Sequence, residues 1–359
     1  MALPTAAASF VASAACFSPF RNVKVTSSIA QGAKYIGTHN GSFHCDEALA
    51  VSMLKLLPKF AAHDILRTRD ESKLSECEVV VDVGGVYDAT TNRFDHHQKT
   101  FEGTFDGYKT RLSSAGLVYK HFGREIIQQL SEKPLDDATL DLLHKKTYKN
   151  FIEHIDGIDN GVEIAEGPLK YAMSTTLSAR VGHLNPAWNE DDSTDRVNHQ
   201  FQQAMYLTIT EFTDSVRSLL LTWLPARSLV EDAVKSRFQT HPSGEILYFP
   251  QYCPWKSHLY DIEKELLIDG QIKFVLYNDS TGSMVRVQAV NVENSAFALR
   301  LGLLPAWRGI RDSELSTVAG IEGCTFVHAA GFIGGNKTYE GALEMAAQSL
   351  AAQETTTSS

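Results

Sequence analysis

A continuous run of β-branched residues constrains the fold of this chain more than any other feature. Glu78-Val-Val-Val-Asp-Val83 shows no alternation of apolar and polar side chains before Asp82. A strand with this pattern is expected to be buried on both faces, as in a parallel sheet covered by helices. Parallel strands need helical crossovers, so the run predicts an α/β fold.

Neighbouring segments fit the same architecture. Lys34-Tyr-Ile-Gly-Thr38 predicts a buried strand, and residues 46–57 predict a helix with one apolar face that Pro58 ends. Residues 64–67 predict a further strand. The alternation of strand and helix indicates βαβ units and a mostly parallel sheet.

The chain is long enough for two domains. Its 359 residues can form two separate cores, and residues 185–195 carry the clearest break, with Pro, Asn, Asp, Glu and Ser together. We expect the parallel-sheet domain over 34–190, then a helical connector and a smaller α/β domain over 191–352. The Thr/Ser-rich residues 353–359 predict a disordered tail.

The first 33 residues differ in composition from the rest. They are rich in Ala and Ser, and no acidic residue precedes Asp46. This composition is typical of an organellar transit peptide, which predicts a mitochondrial or plastid protein, with a nuclear or cytosolic pool also open. The alternative is a disordered N-terminal tail with no targeting function. Polar residues interrupt the segment, so it does not predict a membrane span.

Charge and cysteine content exclude several classes of protein. The net charge of −10 argues against a basic surface that coats nucleic acid. The five cysteines form no CxxC pair, which argues against a disulfide framework or a structural zinc site.

Ionisable side chains follow several predicted strands. In a parallel sheet the carboxyl ends of the strands meet at one edge, where ligands bind. His39 and His44 follow the first strand, Asp82 ends the third, and Asp95-His96-His97 follows the next. Imidazole and carboxylate suit manganese or a similar metal, and two ions about 4 Å apart can activate water against a phosphate ester. Singly, each residue could be an ordinary capping or surface group.

Longer motifs carry a family resemblance. They are Thr38-His-Asn-Gly-Ser-Phe-His-Cys-Asp-Glu-Ala48, Val81-Asp-Val-Gly-Gly85, Arg93-Phe-Asp-His-His-Gln98 and Phe326-Val-His-Ala-Ala-Gly-Phe-Ile-Gly-Gly-Asn-Lys337. Together they resemble the MYG1 family (UPF0160) of metal-dependent exonucleases, in the DHH phosphoesterase superfamily. The resemblance covers about residues 34 to 350. It implies a DHH-type catalytic domain followed by a substrate-binding domain.

The resemblance also implies roles for individual residues. One metal would be held by His39, His44 and Asp82, and the second by Asp46, Asp82, His96 and Asp156, with Asp82 bridging. His97 would face the scissile phosphate as an acid or electrostatic stabiliser, and Asp95 would orient His96 or His97. The wider superfamily commonly has Asp where this chain has His44, and because imidazole is neutral where carboxylate is charged, we expect the metal preference and affinity to differ. Asp159 is the alternative to Asp156.

The C-terminal motif resembles the substrate-binding half of these enzymes. Its glycines, Gly331, Gly334 and Gly335, would let the backbone approach phosphate. The candidate phosphate contacts are His328, Lys337, Arg286, Arg300, Arg308 and Arg311. Ordinary turns and solvated arginines are the alternative. Trp307 and Phe332 are expected in the core, with base stacking as the alternative.

These observations predict a metal-dependent phosphodiesterase. We expect a 3′–5′ exonuclease that acts on RNA or short single-stranded nucleic acid, with water activated by two Mn²⁺ or Mg²⁺ ions. The acidic charge favours short or single-stranded substrates. A small-molecule phosphatase or pyrophosphatase, or a non-catalytic RNA-processing regulator, is the alternative. No membrane partner is expected.

Overall fold

The computed structural model describes Phe20 and residues 23–357, with side chains to Ala352. The chain forms two compact units that divide between Leu220 and Leu221. Most of the segment predicted as a transit peptide lies outside the described residues. Among the described residues, no helix has the length and hydropathy to cross a membrane.

A six-stranded sheet forms the centre of the first unit. Its strands are β1 (Val25–Thr26), β2 (Tyr35–Thr38), β3 (Asp64–Arg67), β4 (Val79–Val81), β5 (Tyr87–Asp88) and β6 (Arg93–Phe94). The strand order is β1-β3-β2-β4-β6-β5. Every pairing is parallel except β5 with β6, so the predicted mostly parallel α/β sheet is confirmed.

Strand β1 lies inside the predicted leader. Val25 and Thr26 pair with Ile65 and Leu66 of β3, and the backbone carbonyl of Val23 accepts a hydrogen bond from the Gln202 side chain. The last residues of the segment 1–33 therefore belong to the folded sheet.

Helices cover both faces of this sheet. They are α1 (Cys45–Lys55), α2 (Glu71–Ser75), α3 (Ser114–Leu130), α4 (Asp137–Thr147), α5 (Glu153–Asp159), α6 (Leu177–Gly182) and α7 (Thr194–Ser218). A π-helical turn, Tyr148–Ile152, joins α4 to α5. Helix α1 is buried along its whole length between α3, α7 and β4. The sequence predicted one buried apolar face, but neighbouring elements pack around α1 and bury its polar side as well.

The boundary between the units differs from the predicted one at 190/191. Residues 185–195 form a loop between α6 and α7, and α7 packs on α1 and β1. The α7 side chains Phe201, Met205 and Phe212 are buried. This apolar face completes the first core, so α7 belongs to the first unit.

The second unit contains a mixed sheet with helices. The strands are β7 (Ile246–Phe249), β8 (Phe274–Asn278), β9 (Val285–Ala289), β10 (Cys324–Val327) and β11 (Ile333–Asn336). The helices are α8 (Leu224–Lys235), α9 (Arg237–Thr240), α10 (Lys256–Leu266), α11 (Asp312–Ala319) and α12 (Tyr339–Thr357). The order is β10-β11-β9-β8-β7, and only β7 with β8 is parallel. The unit is α/β, as predicted.

The C-terminal end differs from the predicted tail. Helix α12 continues to Thr357 and includes most of residues 353–359. Its earlier turns bury Ala342, Met345, Ala346 and Leu350 in the core of the second unit. A helix anchored in this way extends at little cost, because each further residue adds one backbone hydrogen bond without a new nucleation step.

Candidate metal centre

Three neighbouring strands bring the predicted ligands together. β2, β4 and β6 are adjacent and parallel, and His39, Asp82 and Asp95 directly follow them. Helix α1 begins beside them at Cys45, so its acidic first turn faces the same edge. The carboxyl ends of the strands therefore form a site, as the α/β pattern predicted.

Asp82 is at the centre of this site. Its Oδ2 lies 3.3 Å from His39 Nε2, and its Oδ1 lies 3.4 Å from His96 Nε2. The Ser114 hydroxyl donates to Oδ1 at 3.1 Å. Burial opposes ionisation, but the two imidazoles outweigh it and hold the pKa of Asp82 well below its usual range. The Asp82 backbone has a φ of 57°, a left-handed conformation that is uncommon outside glycine and costs energy.

A first ligand group surrounds one side of Asp82. His39, His44, Glu47 and Asp82 each offer a ligand atom within 4.8 Å of the others. His39 Nε2 also lies 3.0 Å from Glu47 Oε1. Burial alone would lower the pKa of His39, but Asp82 and Glu47 raise it to about 10. The two carboxylates thus stabilise a positive charge at this point, whether a proton or a metal ion supplies it.

Glu47 is a site residue that the sequence analysis missed. It is fully buried, and its carboxylate accepts hydrogen bonds of 2.7 and 2.8 Å from the His44 backbone N–H. Glu three residues after a helix N-cap is the pattern of a capping box. The capping pattern explains Glu47 without any functional role, so the sequence does not indicate its second contact, with His39. The only sequence signal is its place directly after Asp46 in the first turn of α1.

A second ligand group lies on the other side of Asp82. Asp46, His96 and Asp159 offer ligand atoms within 4.8 Å of one another. His96 Nε2 lies 3.2 Å from Asp159 Oδ2 and 3.9 Å from Asp46 Oδ2. Because His96 Nε2 is also near Asp82, the two groups meet at Asp82.

Buried polar atoms without hydrogen bonds indicate that the second ligand group could hold a metal ion. His96 Nδ1 and Asp46 Oδ1 are buried without a hydrogen-bond partner, and His96 Nε2 makes no well-directed hydrogen bond to the carboxylate oxygens 3.2 and 3.4 Å away. Such atoms are rare in native proteins and indicate a missing ion or water. Burial and the nearby carboxylates of Asp82 and Asp159 raise the pKa of Asp46 well above its usual range. A divalent cation would relieve this excess of negative charge.

Asp156, predicted as a ligand with Asp159 as the alternative, lies outside the two ligand groups and binds other partners. Its Oδ1 accepts from the backbone N–H and the hydroxyl of Ser113, at 2.9 and 2.7 Å, and its Oδ2 accepts from the Tyr148 hydroxyl at 2.9 Å. A side chain at Gly116 would collide with both oxygens. Burial raises the pKa of Asp156 to about 7. It fixes the N-terminus of α3, and Asp159 occupies the position near the other ligands.

Asp95 orients His97, and not His96. Its Oδ1 accepts from the backbone N–H of His97 at 3.0 Å and from His97 Nδ1 at 2.7 Å, while its Oδ2 accepts from Gly85 N–H at 2.6 Å. The hydrogen bond to Asp95 raises the pKa of His97. The His97 side chain is 63% exposed and lines the cleft beside the ligands. An imidazole with a raised pKa is thus held at the surface of the site.

The cleft beside the ligands has a volume of about 430 Å³ and includes one arginine, Arg111. Arg111 Nε donates to Asn160 Oδ1 at 2.7 Å. Asn160 Nδ2 donates in return to the carbonyls of Arg111 and Asp156, both at 2.9 Å. Asn160 therefore holds the guanidinium through Nε. The two terminal nitrogens have the planar geometry that suits an anion. The sequence analysis missed Arg111, because an isolated arginine carries no pattern.

Two predicted glycines of the second unit do not form a phosphate nest. Gly334 and Gly335 are buried in β11, paired with β10 and β9. A Cβ at Gly334 would lie 2.9 Å from the Phe326 carbonyl, and one at Gly335 would lie 2.9 Å from Thr325 Oγ1. Close packing within the sheet explains both glycines, and their N–H groups belong to strands.

Gly331 lies at a turn with a φ of 71°, where a Cβ would collide with the Arg308 side chain. Exposed residues that could contact a substrate phosphate or base lie around this turn. The rings of His328 and Phe332 are 4.7 Å apart, and both residues are exposed, so the expectation that Phe332 lies in the core is wrong. Arg308 is exposed, with its Nε bound to the Leu303 carbonyl.

The other predicted phosphate contacts have mixed environments. The Arg300 side chain is 9% exposed and binds Glu263 through both terminal nitrogens, at 2.7 and 2.6 Å, which gives it a structural contact within the second unit. The Arg286 guanidinium lies 5.0 Å from the centre of the Phe326 ring. Arg311 is 73% exposed and Lys337 is exposed. Trp307 is buried in the core, as expected.

Comparisons with known proteins agree with the sequence motifs. The family described as "Uncharacterised protein family (UPF0160)", MYG1_exonuc, matches residues 35–350. The mouse protein named MYG1 exonuclease is 50% identical over 324 residues, covering 88% of this chain and 84% of the mouse protein. The MYG1 protein of Dictyostelium discoideum is 50% identical over 318 residues, covering 88% and 96%.

Other similarities are more distant. The MYG1 protein of Saccharomyces cerevisiae is 42% identical over 339 residues, covering 92% of this chain and 99% of the yeast protein. A crystal structure of the exonuclease RecJ bound to manganese aligns over 88% of this chain and 90% of its own, with 12% identity and a TM-score of 0.22. That structural similarity is too low to support an argument. The sequence matches alone extend over nearly the whole chain, and on them the chain belongs to the MYG1 family.

Proposed function

We propose that this protein is a metal-dependent phosphodiesterase with two divalent ions bridged by Asp82. The observation that carries the proposal is that two ligand groups meet at this carboxylate: Asp82 belongs to the first group, and it lies 3.4 Å from His96 of the second. His39, His44, Glu47 and Asp82 would hold one ion, and Asp46, Asp82, His96 and Asp159 the other. Two bound ions of this kind supply an activated water and neutralise the phosphate.

The donor set suits manganese. The two groups combine three imidazoles with four carboxylates, Asp46, Glu47, Asp82 and Asp159. Mixed imidazole and carboxylate sites favour Mn²⁺ and similar first-row metals, while Mg²⁺ prefers oxygen alone. Two divalent cations would balance the four carboxylate charges, which explains how so many acidic groups are buried together.

His97 and Arg111 complete the chemistry around the phosphate. His97, held by Asp95, can donate a proton to the leaving oxygen or stabilise its charge. Arg111, held by Asn160, can bind non-bridging phosphate oxygens through its terminal nitrogens. Both side chains line the cleft that contains Asp82, His96 and Asp159.

We propose that the substrate is nucleic acid and that digestion starts at an end. The mouse, bovine, rat and human relatives are named MYG1 exonuclease, which supports this. Single-stranded or short RNA, digested from 3′ to 5′, is our specific proposal. The net charge of −10 favours a short substrate, because a long duplex gains most of its affinity from many basic contacts.

A labelled-oligonucleotide assay tests this proposal. We expect the protein with Mn²⁺ to release mononucleotides one at a time from the 3′ end of a 5′-labelled single-stranded RNA of about 20 residues. EDTA should stop the release, and a DNA strand of the same sequence compares the two sugars. Internal cleavage, shortening from the 5′ end, or no release would contradict the proposal. Faster turnover of pyrophosphate would instead favour the small-molecule phosphatase, to which a cleft of about 430 Å³ is also suited.

Replacing Arg111 with lysine should impair the same reaction. Arg111→Lys keeps the charge but loses the planar fork and the Nε bond to Asn160. We expect kcat/KM to fall roughly tenfold to a hundredfold, with manganese affinity unchanged. Arg124→Lys, at an exposed pair with Asp137, is the matched control and should leave kcat/KM unchanged. An equal effect of both variants would refute the role of Arg111.

A further inference from the structure

A second cavity adjoins the metal cleft. It has a volume of about 550 Å³, and Ile155, Ile158 and Ser178 line both spaces. Ile158 directly precedes Asp159, which lines the metal cleft and is one of the candidate metal ligands. The two cavities therefore adjoin along a common wall within the first unit.

The two cavities differ in chemistry. The larger one is walled by apolar side chains, among them Phe151, Ile164 and Met173. Its described lining contains no lysine or arginine, and it includes the three glutamates Glu153, Glu163 and Glu211. The metal cleft instead contains Arg111 and His97. The cleft also contains Asp82 and Asp159, so a phosphate group would be attracted there once divalent ions balance these carboxylates, whereas the larger cavity offers no such group.

We propose that the larger cavity binds the nucleobase of the nucleotide whose phosphate occupies the metal cleft. This inference rests on the proposed function, and it adds the position of the substrate. A nucleobase is uncharged, planar and largely apolar at its faces, and it is joined to phosphate by one sugar. The cavity lies within the size range of small-ligand pockets. Glu153 and Glu211 already bind Thr110 and Arg180 through Oε1, and the remaining glutamate oxygens can accept hydrogen bonds from base N–H groups.

The exposure of the cavity wall supports a ligand there. Helices α5 and α6 are joined by residues 160–176, and Val162, Ile164 and Met173 in this segment are about half exposed. A cluster of exposed apolar side chains around a concave surface typically marks a binding site. Adjacency to the metal cleft, through the shared residues Ile155, Ile158 and Ser178, favours the substrate itself as the occupant over a second protein.

Binding of two nucleotide fragments tests the inference without turnover. Adenosine 5′-monophosphate and ribose 5-phosphate carry the same phosphate and differ by the base. With Mn²⁺ present, isothermal titration should show adenosine monophosphate binding roughly tenfold more tightly. Met173→Glu should abolish that preference, because it adds a charge to the apolar wall. Leu169→Glu is the matched control: Leu169 is 47% exposed against 49% for Met173, in the same segment but outside the cavity lining.

Three outcomes distinguish the possibilities. Loss of the preference in Met173→Glu and its retention in Leu169→Glu would support the base site, even if no oligonucleotide is cleaved and the proposed function fails. Equal binding of both fragments by the wild-type protein would overturn the base site, even if oligonucleotides are cleaved. Sedimentation that shows Met173→Glu dissociating a dimer, with the preference unchanged, would also overturn it, because the surface would then be a subunit interface.

Discussion

Replacing Asp82 with asparagine should lower kcat for phosphodiester hydrolysis by about a thousandfold or more. Asp82 contacts His39 on one side and His96 on the other, so the loss of its charge weakens both ligand groups. Asparagine preserves the shape and can still accept the Ser114 hydrogen bond. It also tolerates the φ of 57° better than alanine does, so the fold should remain intact. Steady-state kinetics and thermal unfolding check the two expectations separately.

A matched control separates charge at the site from charge in general. Asp88 caps the 3₁₀ turn Ala89–Thr91 at the surface and accepts from Thr90. Asp88→Asn should therefore leave kcat unchanged. If Asp82→Asn retained wild-type turnover while folding normally, Asp82 would not bridge catalytic ions and the proposed mechanism would be wrong.

Alanine substitutions at Asp159 and Asp156 should have opposite effects. Asp159→Ala should lower kcat by about a hundredfold or more but leave the free energy of unfolding nearly unchanged in EDTA. Its side chain is 19% exposed, and its repulsion from the carboxylate of Asp82 is offset by the attraction of His96 Nε2 at 3.2 Å. Removing it therefore changes the stability of the metal-free protein little. Calorimetric titration with Mn²⁺ should show the loss of one ion.

Asp156→Ala should destabilise the fold by roughly 3 kcal/mol or more, because buried donors lose their acceptor. Those donors are the Ser113 N–H, the Ser113 hydroxyl and the Tyr148 hydroxyl. Urea unfolding in EDTA measures this cost without a contribution from metal binding. A variant at Asp156 that unfolds like the wild-type protein but loses a metal ion would reverse the two assignments.

The sheet and the positions of most candidate ligands could be predicted from the sequence, because both follow from the burial of the strands. A β-branched run such as Val79–Val81 is stable only when buried on both faces, and this requirement leads to parallel strands and helical crossovers. The carboxyl ends of such strands necessarily meet at one edge. His39, Asp82 and His96 could therefore be placed together before any coordinates were known.

The remaining features depend on tertiary packing that a pattern does not encode. Asp156 and Asp159 are three residues apart, so a regular helix places them on nearly the same face. The π-helical turn at Tyr148–Ile152 alters the register before them, and hydrophobic periodicity does not reveal such a turn. Glu47 resembles an ordinary capping residue. In the second unit, glycines fit both a phosphate nest and a closely packed strand, and the structure has the strand at Gly334 and Gly335.

The most direct test of the two-metal centre is anomalous diffraction from crystals of the wild-type protein grown with Mn²⁺. The account predicts two manganese peaks per chain, separated by about 4 Å. One should contact His39 and Glu47, the other His96 and Asp159, and both should contact Asp82. A single peak, or two peaks of which neither contacts Asp82, would contradict it.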